Sequence, residues 1–423
     1  MGPMCLNRHM GILLKNISTL LTLQGAAAKQ GRRIKEEDLS LLQQAAVVIE
    51  KNKIVWVGPQ KKLPKEFARK KALRDYDMRG RTVLPGFVEC HTHLIFAGDR
   101  AAEFEMRNQG VSYQEIAAKG GGILSTMKKT RASSLNDLVK AGQRRLDHFV
   151  SQGVTTVEIK SGYALNLKDE LKMLQAAQKL SGIRTVNTFL GAHALPPEFK
   201  SYEDYLTFLA DEVLPVVAKK KLARRVDVFI EKGFFPPEAS EKYLRRAQEL
   251  GFEILIHADQ MSLSGGSEIA VRLGALSGDH LLQIEDKEIR KLAQSEVTGV
   301  LLPTADLYTK TKYPPARAMI DAGVRVALAT DFNPGTSPTQ NLNLVGLLAR
   351  LEMKMSLPEV IAAYTVGGAH ALNLQNEVGS LEVGKSADIL CIDQDWQTLF
   401  YSVGEASEKV VFSRGKKVFG TLK

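Results

Sequence analysis

The feature that most constrains this chain is a rhythm through its middle. Eight strand-like apolar runs alternate with amphipathic helical patterns: "TVLPGFVECHTH", "GVTTVEIKSGY", "RTVNTFLGAH", "RVDVFIEKG", "FEILIHADQ", "ALSGDHLL", "TGVLLPTAD" and "RVALATDFNP". Most neighbouring runs are far enough apart to fit one crossover helix between parallel strands. Eight such units predict an α/β fold, a (β/α)8 TIM-like barrel over residues 83–373. A doubly wound open sheet is the competing architecture. No G-x-G-x-x-G follows the first run, which favours the barrel.

The helical segments show their faces. Leu135, Leu138, Val139, Leu146, Phe149 and Val150 keep the 3.6-residue period, with Ser134 as N-cap and Gly153 as terminator. "ASEKYLRRAQELG" repeats the pattern and stops at Gly251. Residues 1–82 and 374–423 read differently, as short alternating strands separated by turns, with "KNK" (Lys51–Lys53) as a tight turn. The two ends are expected to combine into a small composite β-sandwich domain.

Composition excludes several classes. The 423 residues carry 57 basic and 47 acidic side chains, a net charge of +10, but the basic residues are scattered. No basic groove with interleaved aromatics is visible, so no nucleic-acid partner is expected. No apolar run approaches the ~18 residues of a membrane span, so no membrane partner is expected either. The first apolar run is broken by Lys15 and Asn16 and does not resemble a signal peptide. Cys5, Cys90 and Cys391 lie far apart, which points to a reducing, cytoplasmic setting rather than a disulfide framework.

Eight histidines occur. His9, His148 and His370 fall in a tail, a helix and a late helix, and read as structural or solvated. His91, His93, His193, His257 and His280 each fall at the C-terminal end of an expected strand, where barrels build their chemistry. His91 and His93 share a face if the strand continues through them. Alone, that pair also suits two hydrogen-bonded imidazoles at a strand end. His257 closing the fifth strand and Asp331 closing the eighth complete a set that suits one Zn2+ or Fe3+ ion with a water.

"VLPGFVECHTH", "HADQ", "ATDFNPG" and "GSLEVGKSADI" resemble the amidohydrolase superfamily over nearly the whole chain. "HTHLIFAGDR", "GGGILSTMKKTR", "EIKSGYAL", "FLGAHALPPE" and "DFNPGTSP" are similar to its imidazolonepropionase branch. The resemblance implies one zinc or iron ion on His91, His93, His257 and Asp331. It implies a small-molecule substrate, 4-imidazolone-5-propanoate, opened by hydrolysis to N-formimidoyl-L-glutamate. With an ion there, Asp331 can relay the proton of its water and His280, ending the sixth strand, can polarise the carbonyl or shuttle a proton, which makes them the candidate catalytic pair. Arg100, Tyr163, His193, Asn333, Gly335 and Thr336 are the implied substrate contacts, with Tyr113 and Gln260 as further candidates. A homodimer is left open.

Some positions depart from relatives. Gln260 stands where many deaminases of the superfamily, and some imidazolonepropionases, carry the Glu of H-x-x-E. Gln cannot shuttle a proton at neutral pH. Glu89 stands where many relatives have Asp. Lys160, on the second strand, and Lys232, after the fourth, do not match the bridging lysine of two-metal relatives, so one metal is expected. Two rivals remain: an amidohydrolase acting on another cyclic amide or an aminated heterocycle, and a non-catalytic scaffold of this fold.

Overall fold

The computed structural model describes residues 11–68, 72–111, 115, 121–404 and 407–422. Tyr113, a substrate-contact candidate, lies outside the described residues.

The N-terminal part supplies β1 (Gly11–Leu21), β2 (Leu41–Glu50), β3 (Lys53–Pro59), β4 (Leu73–Asp77) and β5 (Thr82–Pro85). The middle supplies β6 (Phe87–Glu89), β7 (Val154–Lys160), β8 (Arg184–Ala192), β9 (Arg225–Ile230), β10 (Glu253–Ala258), β11 (Ser277–His280), β12 (Thr298–Leu301) and β13 (Val326–Leu328). The C-terminal part supplies β14 (Ile389–Ile392), β15 (Lys409–Ser413) and β16 (Lys416–Phe419).

Strands β6 to β13 pair in sequence order, all parallel. The segments just past the first and last strands are joined by a bridge between Thr92 and Phe332 and by the His93 N–H donating to the Phe332 carbonyl at 2.9 Å. That junction brings the expected barrel nearly to closure. Helices lie between the strands. The helix Leu135–Ser151 starts where the sequence predicts it: Ser134 accepts from the Asp137 N–H, and Leu138, Leu146, Phe149 and Val150 are buried. Gly153 then turns the chain at φ +99°, a conformation that glycine adopts without strain.

The two chain ends form one mixed sheet. Strand β14 lies between β5 and β15, antiparallel to both, so the last fifty residues complete a sheet begun by the first eighty. In β2, Ala45, Val47 and Ile49 enter a core shared with Ile389, Cys391 and Phe412, while Ala46 and Val48 pack on the other face with Leu13 and Leu73. This is the period-two signature of a strand covered on both sides. Lys51 and Asn52, both at positive φ, make the tight turn between β2 and β3.

Two details differ from the sequence reading. The expected boundary at 82/83 falls inside β5, which pairs with β1 and β14, so the mixed sheet runs to Pro85 and the barrel begins at Phe87. Residues 22–40 are not strand. They carry the helix Gln24–Ala28 across to the barrel, where Arg32 donates to the Gly323 and Ser295 carbonyls at 2.7 and 2.6 Å. Those carbonyls precede β13 and β12, so this segment covers the barrel end opposite the histidines.

Candidate metal centre and substrate pocket

Strand β6 ends at Glu89, so His91 and His93 lie just beyond the strand and not within it. They still converge, because Thr92 between them is held from both sides. It bridges to Phe332, and its own N–H and hydroxyl donate to Glu158 on β7. His257 comes from β10. One ring nitrogen from each of His91, His93 and His257 can be chosen so that all three lie within 4.8 Å of one another. Oδ1 of Asp331 lies 3.5 Å from Nε2 of His91 and 3.4 Å from Nε2 of His93. These residues are all at most 3% exposed.

The donor set fits a metal ion on a direct observation. Nε2 of His91, Nε2 of His257 and Oδ1 of Asp331 are buried with no hydrogen-bond partner. Buried polar atoms are seldom left so, and lone pairs that converge in this way suit a cation. The far nitrogens of His91 and His257 face carboxylates. Nδ1 of His91 lies 2.6 Å from Asp279, and Nδ1 of His257 lies 2.9 Å from Asp227. A carboxylate there requires the proton on Nδ1, which leaves Nε2 as the ligand atom.

Electrostatics agrees. Burial, aided by Lys160 nearby, holds His91 well below the usual histidine pKa, and burial and His257 do the same for His93. Burial also lowers His280, to about 4. Burial works against the charged form of His257, but the charge and hydrogen bond of Asp227 outweigh it and raise its pKa. For Asp331, burial works upward, while the contact with His91 and the neighbouring imidazoles prevail and hold the carboxyl below its ordinary value.

His280 ends β11 with its ring centroid 5.7 Å from that of His91 and 5.4 Å from that of His257, and its Nδ1 is unpartnered. Its φ is +76° and that of Asp331 is +51°. Two non-glycine residues in the left-handed region at one site are backbone strain of the kind that gathers at functional centres.

The expected substrate contacts assemble beside this cluster. The His193 ring stacks on His93 at 5.0 Å, and Tyr163 lies 5.6 Å from His93 and 5.2 Å from His193. The Arg100 guanidinium lies 5.9 Å from the Tyr163 ring, its Nε donates to Thr126, and its Nη2 is buried without a partner. Gly335 sits directly against Arg100, where a Cβ would collide with Nη1. Asn333 is turned inward: its amide donates to the Asp331 carbonyl and Thr336, and its oxygen accepts from the Gly335 and Thr336 N–H groups. It therefore shapes the loop that carries Asp331. Gln260 is half-buried two residues past β10.

Sequence reasoning missed Asp227, Asp279, Glu158 and the place of Lys160, which are wholly buried in the barrel interior. The signal was present as charges alternating with apolar residues in "EIK", "RVDVF" and "SGDH". Glu89 acquires a role as well. Its Oε1 accepts the Thr330 N–H at 3.0 Å, fastening the first strand to the residue before Asp331. Lys232 is exposed beyond β9, remote in character from a metal bridge.

The Amidohydrolase family profile matches residues 82–418. The chain belongs to the amidohydrolase family, as its barrel and histidine cluster already indicate. Within that family it falls among the imidazolonepropionases. The imidazolonepropionase of Geobacillus kaustophilus is 43% identical over 413 residues, 96% of this chain and 97% of its own length. That of Symbiobacterium thermophilum is 41% identical, covering 97% of this chain and 98% of its own. Among solved structures, a zinc-bound adenosine deaminase from Xanthomonas campestris superposes with a TM-score of 0.69 at 18% identity, covering 96% of this chain and 92% of its own. A zinc-complexed atrazine chlorohydrolase from Arthrobacter aurescens gives 0.66 at 18%, covering 97% and 96%. At that identity the likeness concerns the fold.

Proposed function

We propose that this protein hydrolyses 4-imidazolone-5-propanoate to N-formimidoyl-L-glutamate, with one zinc or iron ion held by His91, His93, His257 and Asp331. The observation that carries the reading is the convergence of three imidazoles and one carboxylate beside an arginine with a free nitrogen. Bound there, the ion supplies Lewis acidity that lowers the pKa of a coordinated water to about 7.

The chain's own groups do the rest. Asp331 is held ionised, so it takes a proton from the attacking water and returns it to the ring nitrogen as the carbon–nitrogen bond breaks. His280 is neutral at pH 7, so one nitrogen can donate to the developing oxyanion without carrying a net charge. Arg100 pairs with the propionate, a carboxylate that a guanidinium recognises in bidentate geometry. Tyr163 and His193 wall the ring, and the Asn333–Thr336 loop seats the pocket around Arg100. Gln260 hydrogen-bonds but moves no proton, which disfavours a deaminase. Among the described residues no helix is long and apolar enough to cross a membrane. Cys90 and Cys391 are buried free thiols, which fits a reducing cytoplasmic setting.

The test is direct. Freshly prepared imidazolone propionate is supplied to the purified protein, and its ultraviolet absorbance is followed with and without chelator. Rapid loss that chelator abolishes and added zinc or iron restores is the expected result. No turnover of this compound, with turnover of a hydantoin or an aminated heterocycle, would reassign the substrate.

A further inference from the structure

Lys160 ends β7 inside the barrel with 0% exposure, and the reaction described above does not use it. Three carboxylates face its ammonium. Nζ donates to Oε1 of Glu158 at 3.0 Å, lies 2.8 Å from Oδ2 of Asp227, and lies 3.7 Å from Oδ2 of Asp279. All three acids are also 0% exposed. Barrel interiors are ordinarily filled by Val, Ile and Leu, so this charged layer calls for a physical reason.

The reason lies in what each carboxylate touches next. The Asp227 oxygen that meets Lys160 is the one 2.9 Å from Nδ1 of His257. The Asp279 oxygen that meets Lys160 is the one 2.6 Å from Nδ1 of His91. Glu158 takes Lys160 on Oε1 and the Thr92 N–H on Oε2, at 3.2 Å. Thr92 stands between His91 and His93, and its carbonyl accepts the backbone N–H of Lys160 at 2.9 Å. Every arm that leaves Lys160 ends on a metal-ligand histidine or on the residue joining two of them.

We infer that Lys160 is a positioning residue: its ammonium anchors Asp227, Asp279 and Glu158 so that all three histidines are aimed at one point before the metal arrives. This rests on the metal-ligand reading given under Proposed function. The alternative is that Lys160 only neutralises buried charge and leaves the ligands where they are. The two accounts differ in what a neutral replacement does to coordination. The carboxylate partners of ligating histidines set ring orientation and basicity, and losing such support typically weakens metal binding by about 10–100-fold.

The experiment compares wild type with Lys160→Met, which keeps the length of the stem and removes the charge. That change strands three buried carboxylates, so a Lys160→Met/Glu158→Gln variant is made beside it, removing one counter-charge together with the cation. Each is loaded with Co2+. Affinity is read by chelator competition and coordination by the visible d–d spectrum, with circular dichroism reporting the fold. The expected result is a roughly 10–100-fold loss of affinity and a changed spectrum in a folded variant. Wild-type affinity and an unchanged spectrum in either folded variant would overturn the inference. A His91→Ala control separates the two readings. If that variant binds Co2+ as wild type does, the ligand assignment fails; if it loses the ion while the Lys160 variants keep it unchanged, only the positioning role fails.

Discussion

A Cβ on Gly335 would collide with Nη1 of Arg100, which ties the loop after β13 to the guanidinium proposed to meet the propionate. Arg100→Ala removes a charge-assisted pair worth about 1.5–3 kcal/mol, so its Michaelis constant should rise roughly tenfold to a hundredfold. Gly335→Ala should move the same constant upward by displacing Arg100; steady-state kinetics check both, and unchanged values would remove Arg100 from the pocket. Asp306 gives a test by pH. It is buried on the helix Pro303–Thr309, neither carboxylate oxygen has a partner, and burial together with the Asp331 charge pushes its pKa to about 8. The folded value lies above the unfolded one of 3.8, so the folded state holds the proton more tightly. Its stabilising contribution is full below 3.8 and is lost as pH rises toward 8. Asp306→Asn does not titrate and should gain on wild type as pH rises from 5 to 7, on the order of 1 kcal/mol per unit, in denaturant melts at each pH. A constant difference would contradict the assignment. At this scale the sequence pointed to His91, His93 and His257, which the structure brings together, because each falls at or just past the end of an apolar run. It did not show Asp227, Asp279 or the buried place of Lys160, because a charge inside an apolar run looks like its solvent-facing edge until the barrel closes around it.

The helix Leu135–Ser151 shows which forces hold an element in place. Ser134 caps it through the Asp137 N–H, and Leu146 is wholly buried. Ser134→Ala should cost about 1 kcal/mol and Leu146→Ala about 2–5 kcal/mol, so packing dominates capping here. Equilibrium urea unfolding of both variants checks the order; equal costs would mean that the site near Leu146 collapses to fill the void. This element was legible because its apolar period and its cap agree. Residues 22–40 were not. Their anchors are arginine side chains reaching carbonyls nearly three hundred positions away, as from Arg32 to Gly323, and no local pattern encodes such a contact. His91 and His93 fall between these cases. Their period-two spacing gave the right convergence, although Thr92, held by Glu158 and Phe332, and not a regular strand, orients them.

For the whole molecule, the two chain ends flank the barrel in sequence and meet again by strand pairing between β5 and β14. Deleting residues 374–423 removes β14, β15 and β16 together and exposes the β5 edge, so the truncated chain should aggregate on expression. Solubility equal to the full chain would show that the mixed sheet is dispensable. The barrel was readable from the alternation together with the missing G-x-G-x-x-G, and the union of the two ends was expected as well, while the particular pairing of β5 with β14 depends on contacts about three hundred residues apart. The central claim is that four distant side chains hold one ion. Anomalous diffraction from crystals of the purified protein, collected across the zinc and iron edges, measures this most directly. The account expects a single peak per chain, about 2.0–2.3 Å from the nearest nitrogen atoms of His91, His93 and His257 and an oxygen of Asp331. Two peaks, a peak elsewhere, or these four side chains turned away from a shared point would contradict it.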